Sequence, residues 1–183
     1  EQRIGDLYRA YADVEAINRS GLTAVKPMLD RVDAVSSHQE LAMLFAENGY
    51  PAPFGEFVSI DRGDPTRNTL FVAVTGLGLP DRDNYLVDNE RNREMRAKYL
   101  DLVTFLLTKA GDPNPRANAE KVYGLEKQMA AVLWDRAVAR NPQLTTNRVT
   151  YDELLALGGN FLSATPDTEF TAVLETSADA VST

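Results

Sequence analysis

Gly76-Leu77-Gly78-Leu79-Pro80-Asp81-Arg82-Asp83-Asn84-Tyr85-Leu86 is the stretch at which the chain changes character. Thr69-Leu70-Phe71-Val72-Ala73-Val74, just upstream, is rich in β-branched and aromatic residues, the composition of a strand. Downstream, apolar residues recur at helical spacing over two long runs. A Gly-x-Gly pair after a strand invites a phosphate-binding reading, but Asp81 stands where the third glycine of a dinucleotide fingerprint belongs, with Pro80 before it. A carboxylate at that mouth repels a pyrophosphate. Asp81, Asp83 and Asn84 invite calcium, yet Tyr85 and Leu86 occupy the places of a further oxygen ligand and the EF-hand glycine. What survives is a sharp turn, with Gly76 and Gly78 supplying backbone freedom and Gly76 to Tyr85 running as an irregular loop.

Working outward on the upstream side, Phe57-Val58-Ser59-Ile60 pairs naturally with Thr69 to Val74 across the turn-rich Asp61-Arg62-Gly63-Asp64-Pro65, giving a small β-hairpin. Before it the pattern is helical. Ile4, Leu7, Tyr8, Tyr11 and Val14 share one helix face, and Gly21 ends that helix after Arg19 and Ser20. Pro27 suits the first turn of a short helix carrying Met28, Leu29, Val32 and Val35. Ser37 with Glu40 forms a capping box that opens a third helix, stopped at Asn48-Gly49.

On the downstream side, one helix is predicted from about Asp88 to Ala110, with Met95, Tyr99, Leu102 and Leu106 on a stripe. A second runs from about Pro115 to Ala139, with Val122, Leu125, Met129 and Leu133 aligned. Gly111, Asp112-Pro113 and Asn114-Pro115 punctuate the junction, and so short a connection makes the two helices antiparallel neighbours. Thr150 and Glu153 form another capping box, starting a short helix to Leu157; Asp167 to Glu175 is a candidate for one more, and the Ser-, Ala- and Thr-rich end is expected to fray. The expected fold is mainly α: a helical lobe with a long antiparallel helix pair and one small β-hairpin, over residues 1–162, followed by a divergent or frayed tail over 163–183.

Composition closes off most chemistry. The chain has 183 residues, 44% hydrophobic and 25% charged, enough for a real core without covalent staples. Nineteen basic against 27 acidic residues give a net charge of −8, a field that repels nucleic acid. There is no cysteine and one histidine, His38, so neither a thiolate zinc site nor a His-Glu-x-x-His helix can be assembled. His38 lies in a capping turn, where an exposed polar residue is ordinary. No Gly-x-Ser-x-Gly turn supports a serine nucleophile. No apolar run approaches the length of a membrane span, so no membrane contact is expected from this segment. No signal-peptide pattern stands at Glu1, and the chain starts inside an apparent helix; an upstream segment would account for both. Glu126 is the one unusual placement, at the edge of the second long helix's apolar stripe. Either it is buried beside a cation, Arg82 or Arg136, or it reaches water at the rim.

The loop Gly76 to Leu86 closely resembles the Gly-Leu-Gly-Leu-Pro-x-Arg-Asp-Tyr-Tyr stretch of the neprilysin and endothelin-converting-enzyme family of zinc metallopeptidases. The flanks agree in order. Ile4 to Tyr11 with Asp13, Gly21, Pro27, Leu29 and Asp33 is similar to the family's segment before the loop. Arg96-Ala97-Lys98-Tyr99 and Leu107 to Asp112 look like the next helix. Leu125-Glu126, Trp134, Arg136, Arg140-Asn141-Pro142 and Asn147 look like the helix and turn that follow, and Thr150 to Leu155 like the short helix after them. Asn84, Val74-Thr75 and Thr146 depart from the family pattern, and the match fades after Phe161.

The resemblance implies a fragment of the non-catalytic helical lobe, which roofs a cavity and excludes large folded substrates. The family holds zinc on a His-Glu-x-x-His helix and a downstream glutamate, none of them present here. The zinc, the metal-activated water and the peptide hydrolysis would belong to the catalytic part of the parent, and this chain alone would be inactive. Partners would be the catalytic lobe of the same parent chain and the parent's small peptide substrates. The location implied is extracytoplasmic (periplasmic, cell envelope or secreted), in a bacterium. The signature residues Gly76, Gly78, Pro80, Asp81, Arg82, Asp83 and Tyr85 would then be a structural turn anchoring two helices. The alternative is a free-standing, catalytically inactive helical interaction module.

Overall fold

The computed structural model describes residues 2–47, 49–156 and 171–174. It divides into two units, residues 1–40 and 41–183, each considered by itself.

In the first unit, α1 (Gln2–Ala12) and α2 (Val14–Ser20) occupy the run expected as a single helix. The break is at Asp13, whose carboxylate accepts the Ala16 N–H at 2.8 Å as an N-cap. The ladder persists across it, through Asp13 N–H to Arg9 O and Ile17 N–H to Asp13 O, both 3.0 Å. Gly21 closes α2 at φ 51°, where glycine carries no Cβ penalty. α3 (Lys26–Asp33) has Pro27 in its first turn. The capping box that follows is spread over two serines: Ser37 Oγ accepts from Glu40 N–H at 3.1 Å, while the Glu40 carboxylate accepts from the Ser36 N–H and hydroxyl. Ile4, Leu7, Tyr8 and Tyr11 are between 71% and 81% exposed.

The second unit begins within α4 (His38–Ala46), which buries Leu44, and Gly49 turns the chain at φ 101°. The expected hairpin forms as β1 (Phe54–Ile60) and β2 (Asn68–Val74), antiparallel, with Phe57 opposite Phe71 and their rings stacked at 5.3 Å. The sheet is larger than the sequence indicates. Strands β3 (Asn147–Thr150) and β4 (Thr171–Leu174) extend it in the order β1-β2-β4-β3, with β4 parallel to β2 and antiparallel to β3. Residues 171–174 thus form a strand in the sheet, where a helix over Asp167 to Glu175 and a frayed tail were expected. Thr171 and Val173 are β-branched, and pairing covers the β2 edge, which would otherwise present unpaired backbone groups. The rest of 163–183 lies outside the described residues.

The end of the loop folds as a short helix, α5 (Arg82–Leu86), a turn of structure that the sequence pattern leaves irregular. α6 (Glu90–Ala110) starts at the Asn89 cap and ends at Gly111, φ 86°, where the Asp112 N–H reaches back to Leu107 O at 3.0 Å. α7 (Pro115–Val132) returns antiparallel but stops seven residues before the expected Ala139. Leu133 is extended, and the Asp135 carboxylate takes the N–H groups of Ala137 and Val138, diverting the backbone into a 3-10 turn over Val138–Arg140. α8 (Tyr151–Ala156) opens on the expected capping box: Glu153 accepts from the Thr150 N–H at 2.7 Å, and Thr150 Oγ1 accepts from the Glu153 N–H. The core beside the loop consists of Leu79, Tyr85 and Ala130, against which Leu77, Leu86, Met95, Tyr99 and Tyr123 pack.

Candidate functional site

The loop closes on a single carboxylate. Glu126, on α7, is buried, and both of its oxygens are taken. Oε1 accepts from the Gly78 N–H at 3.2 Å and the Tyr99 hydroxyl at 2.7 Å; Oε2 accepts from the Tyr85 hydroxyl at 2.9 Å. The Tyr85 oxygen in turn accepts the Leu79 N–H at 2.8 Å. One side chain therefore ties together the loop, α5, α6 and α7. Neither of the two readings open for Glu126 is what forms: it does not reach water at a rim, and neither guanidinium pairs with it. Arg82 donates to the Ala130 carbonyl and lies 3.5 Å from Asp83, and Arg136 pairs with Asp81. Neutral hydroxyl and amide donors hold Glu126, because the tyrosines reach it from inside the core and the guanidiniums do not.

The glycines are explained by proximity. A Cβ on Gly78 would lie 2.6 Å from Tyr99 Cζ and closer still to its hydroxyl, so only glycine admits that ring to Glu126. A Cβ on Gly76 would meet the Pro53 Cα at 2.7 Å, where the loop runs against the start of the hairpin. Asp81 caps α5 by accepting the Asp83 N–H at 2.8 Å, and its other oxygen receives Arg136. Tyr85 is fully buried and stacks on Tyr123 at 5.6 Å. Burial first, and the Glu126 carboxylate next, push both the Tyr85 and Tyr99 phenols above the ordinary tyrosine range.

Sequence reasoning missed two residues. Asn92, also buried, donates from Nδ2 to the carbonyls of Asp83 and Val87, both at 3.0 Å, and accepts from Asn84 Nδ2 at 3.2 Å. It staples α5 to α6, and its only signal was an asparagine set among charged neighbours. Asp61, read as a turn residue, is buried and accepts from both Nη atoms of Arg148, from the Thr69 hydroxyl at 2.9 Å, and from the N–H groups of Gly63 and Asp64. Arg148 above all, then the Gly63 amide, hold its carboxyl well below the usual carboxylate range. The partners are 87 positions apart, which no local pattern reveals.

Chemically, both clusters are closed. The hydroxyls of Tyr85, Tyr99 and Thr69 donate to the buried carboxylates, whose oxygens are taken up by these and by amide and guanidinium donors. Among the described residues no three His, Cys, Asp or Glu side chains converge on a point that could hold a metal, so the residues present do not fit a zinc site. No helix among them is long and apolar enough to cross a membrane.

This is the helical N-terminal region of a metallopeptidase. The chain belongs to peptidase family M13, whose N-terminal model matches residues 1–180. It is 29% identical to endothelin-converting enzyme 1 of Cavia porcellus over 143 residues, 76% of this chain and 18% of that protein. To the Homo sapiens enzyme it is 28% identical over 166 residues, 86% of this chain and 20% of that protein. Among solved structures it is similar to the zinc metalloprotease Zmp1 of Mycobacterium tuberculosis, with a TM-score of 0.82, 26% identity, and coverage of 99% of this chain and 29% of that one. The fold is also shared with PepO of Lactobacillus rhamnosis, TM-score 0.76 at 16% identity, covering 89% of this chain and 28% of that one. The chain thus spans about a fifth of the curated relatives and under a third of the solved ones.

Proposed function

We propose that this chain is part of the non-catalytic lobe of a zinc metalloendopeptidase, forming one wall of a cavity that admits small peptides and turns away folded proteins. The observation that carries the proposal is the match of nearly the whole chain to the N-terminal part of peptidase family M13, with the same fold filling only 29% of a zinc metalloprotease chain. With one histidine and no cysteine here, zinc would be held elsewhere in the parent. The catalytic lobe of the same parent chain is the proposed partner, small peptides the proposed substrates, and an extracytoplasmic compartment of a bacterium the proposed location. In this reading Gly76, Gly78, Pro80, Asp81, Arg82, Asp83 and Tyr85 are a brace that fixes α6 and α7 behind the cavity wall. The inward use of their polar groups on Glu126, Arg136 and backbone supports that role.

The test uses the parent enzyme and one cleavable sequence presented twice, as a short quenched peptide and inside a folded protein. The peptide is expected to be cut and the folded protein spared until it is denatured. Equal rates on both would contradict a size-restricting wall.

A further inference from the structure

The α6–α7 pair buries one flank and leaves the other bare. Leu102, Phe105 and Leu106 on α6 are 53%, 55% and 55% exposed, and Val122 and Leu125 on α7 are 37% and 60% exposed. The Tyr99–Glu126 hydrogen bond sets the antiparallel register, which brings the two sets level. Turning about 100° per residue from Tyr99 and Glu126 carries both to the same side of the pair. That side lies away from Tyr123, which stacks on Tyr85 of α5. Five large apolar side chains in one strip exceed the scattered singles of an ordinary surface.

The rim carries unspent positive charge. Glu94 is already paired with Lys98, and Arg116 is shared between Asp101 and Glu120. Lys109 sits over the Phe105 ring at 5.4 Å and Lys121 donates to Asn118; neither meets a carboxylate among the described residues. We infer that this strip seats an amphipathic helix with acidic residues along its border, supplied by the part of the parent chain outside residues 1–183. An apolar groove between two helices with a basic edge fits such a helix. The solved relative extends the same fold by more than twice its length, so the parent has chain to supply. A second copy of this chain, with its net charge of −8, is a poorer match for any close approach to itself. The inference rests on the proposed membership in a longer parent and adds the docking surface.

The experiment places p-benzoylphenylalanine at Phe105, and separately at Leu125, in the full parent chain, irradiates it, and maps the cross-links by mass spectrometry. Both positions are solvent-facing here, so the substitutions spare the core. Cross-links from both to one helical segment outside residues 1–183, with acidic residues beside its apolar face, are the expected result. The K109E/K121E variant should reduce that cross-link several-fold and lower the parent's Tm while leaving the Tm of the 183-residue chain unchanged. Cross-links confined to residues 1–183, a covalent dimer, or no cross-link would overturn the assignment. If the parent nonetheless cleaves peptides in a chelator-sensitive way, only the docking surface has failed; a gene coding for no chain beyond these residues removes both proposals.

Discussion

At the residue scale, the signature loop depends on Glu126 and on the space that Gly78 leaves. Glu126→Ala strips three hydrogen bonds and leaves two tyrosine hydroxyls facing the core, so a loss of about 2–4 kcal/mol is expected in urea unfolding. Tyr99→Phe removes one donor and should cost only about 1 kcal/mol. Gly78→Ala drives a methyl group into the Tyr99 ring and should cost about 1–3 kcal/mol; a Gly78→Ala protein as stable as wild type would refute the close packing. The phenols of Tyr85 and Tyr99 ionise above the unfolded value, so the stability they contribute is whole below the usual tyrosine range and is lost as pH climbs from there through their raised folded values. Asp61 runs the other way. Its folded carboxyl ionises far below the ordinary aspartate range, so its contribution is whole above about pH 4 and drains away as pH falls further. Stability measured against pH should therefore show wild type and Asp61→Asn well separated near neutrality and converging in acid. A constant gap would mean that the Arg148 pairing is not what Asp61 supplies.

At the element scale, local signals were legible and distant ones were not. Both capping boxes, the glycine stop at Gly111, the proline starts of α3 and α7, and the hairpin all follow from residues within a few positions of each other. Thr150→Ala should accordingly cost about 1 kcal/mol by uncapping α8, read from the unfolding midpoint. What escaped was set by partners far along the chain. Strand β4 exists through pairing with β2 and β3, the environment of Glu126 stays open between a cation and water because tyrosines 27 and 41 positions away are invisible to spacing, and α7 ends early because Asp135 takes two backbone amides. Leu102, Leu106 and Leu125 fitted a stripe by period yet stand exposed, since periodicity names a face without naming what covers it.

At the scale of the whole molecule, the braced turn and the antiparallel helices behind it spend their polar groups on one another, and the chain belongs to peptidase family M13, its fold covering 29% of a solved zinc metalloprotease. The proposed division of labour, shape from this region and catalysis from the remainder, is tested most directly by zinc content and peptide cleavage. Both would be measured on the purified 183-residue chain and on its parent, with and without chelator. The parent should retain zinc and cut a quenched peptide until the chelator is added, while the 183-residue chain does neither. Stoichiometric zinc in the short chain, or chelator-sensitive cleavage by it alone, would contradict the account.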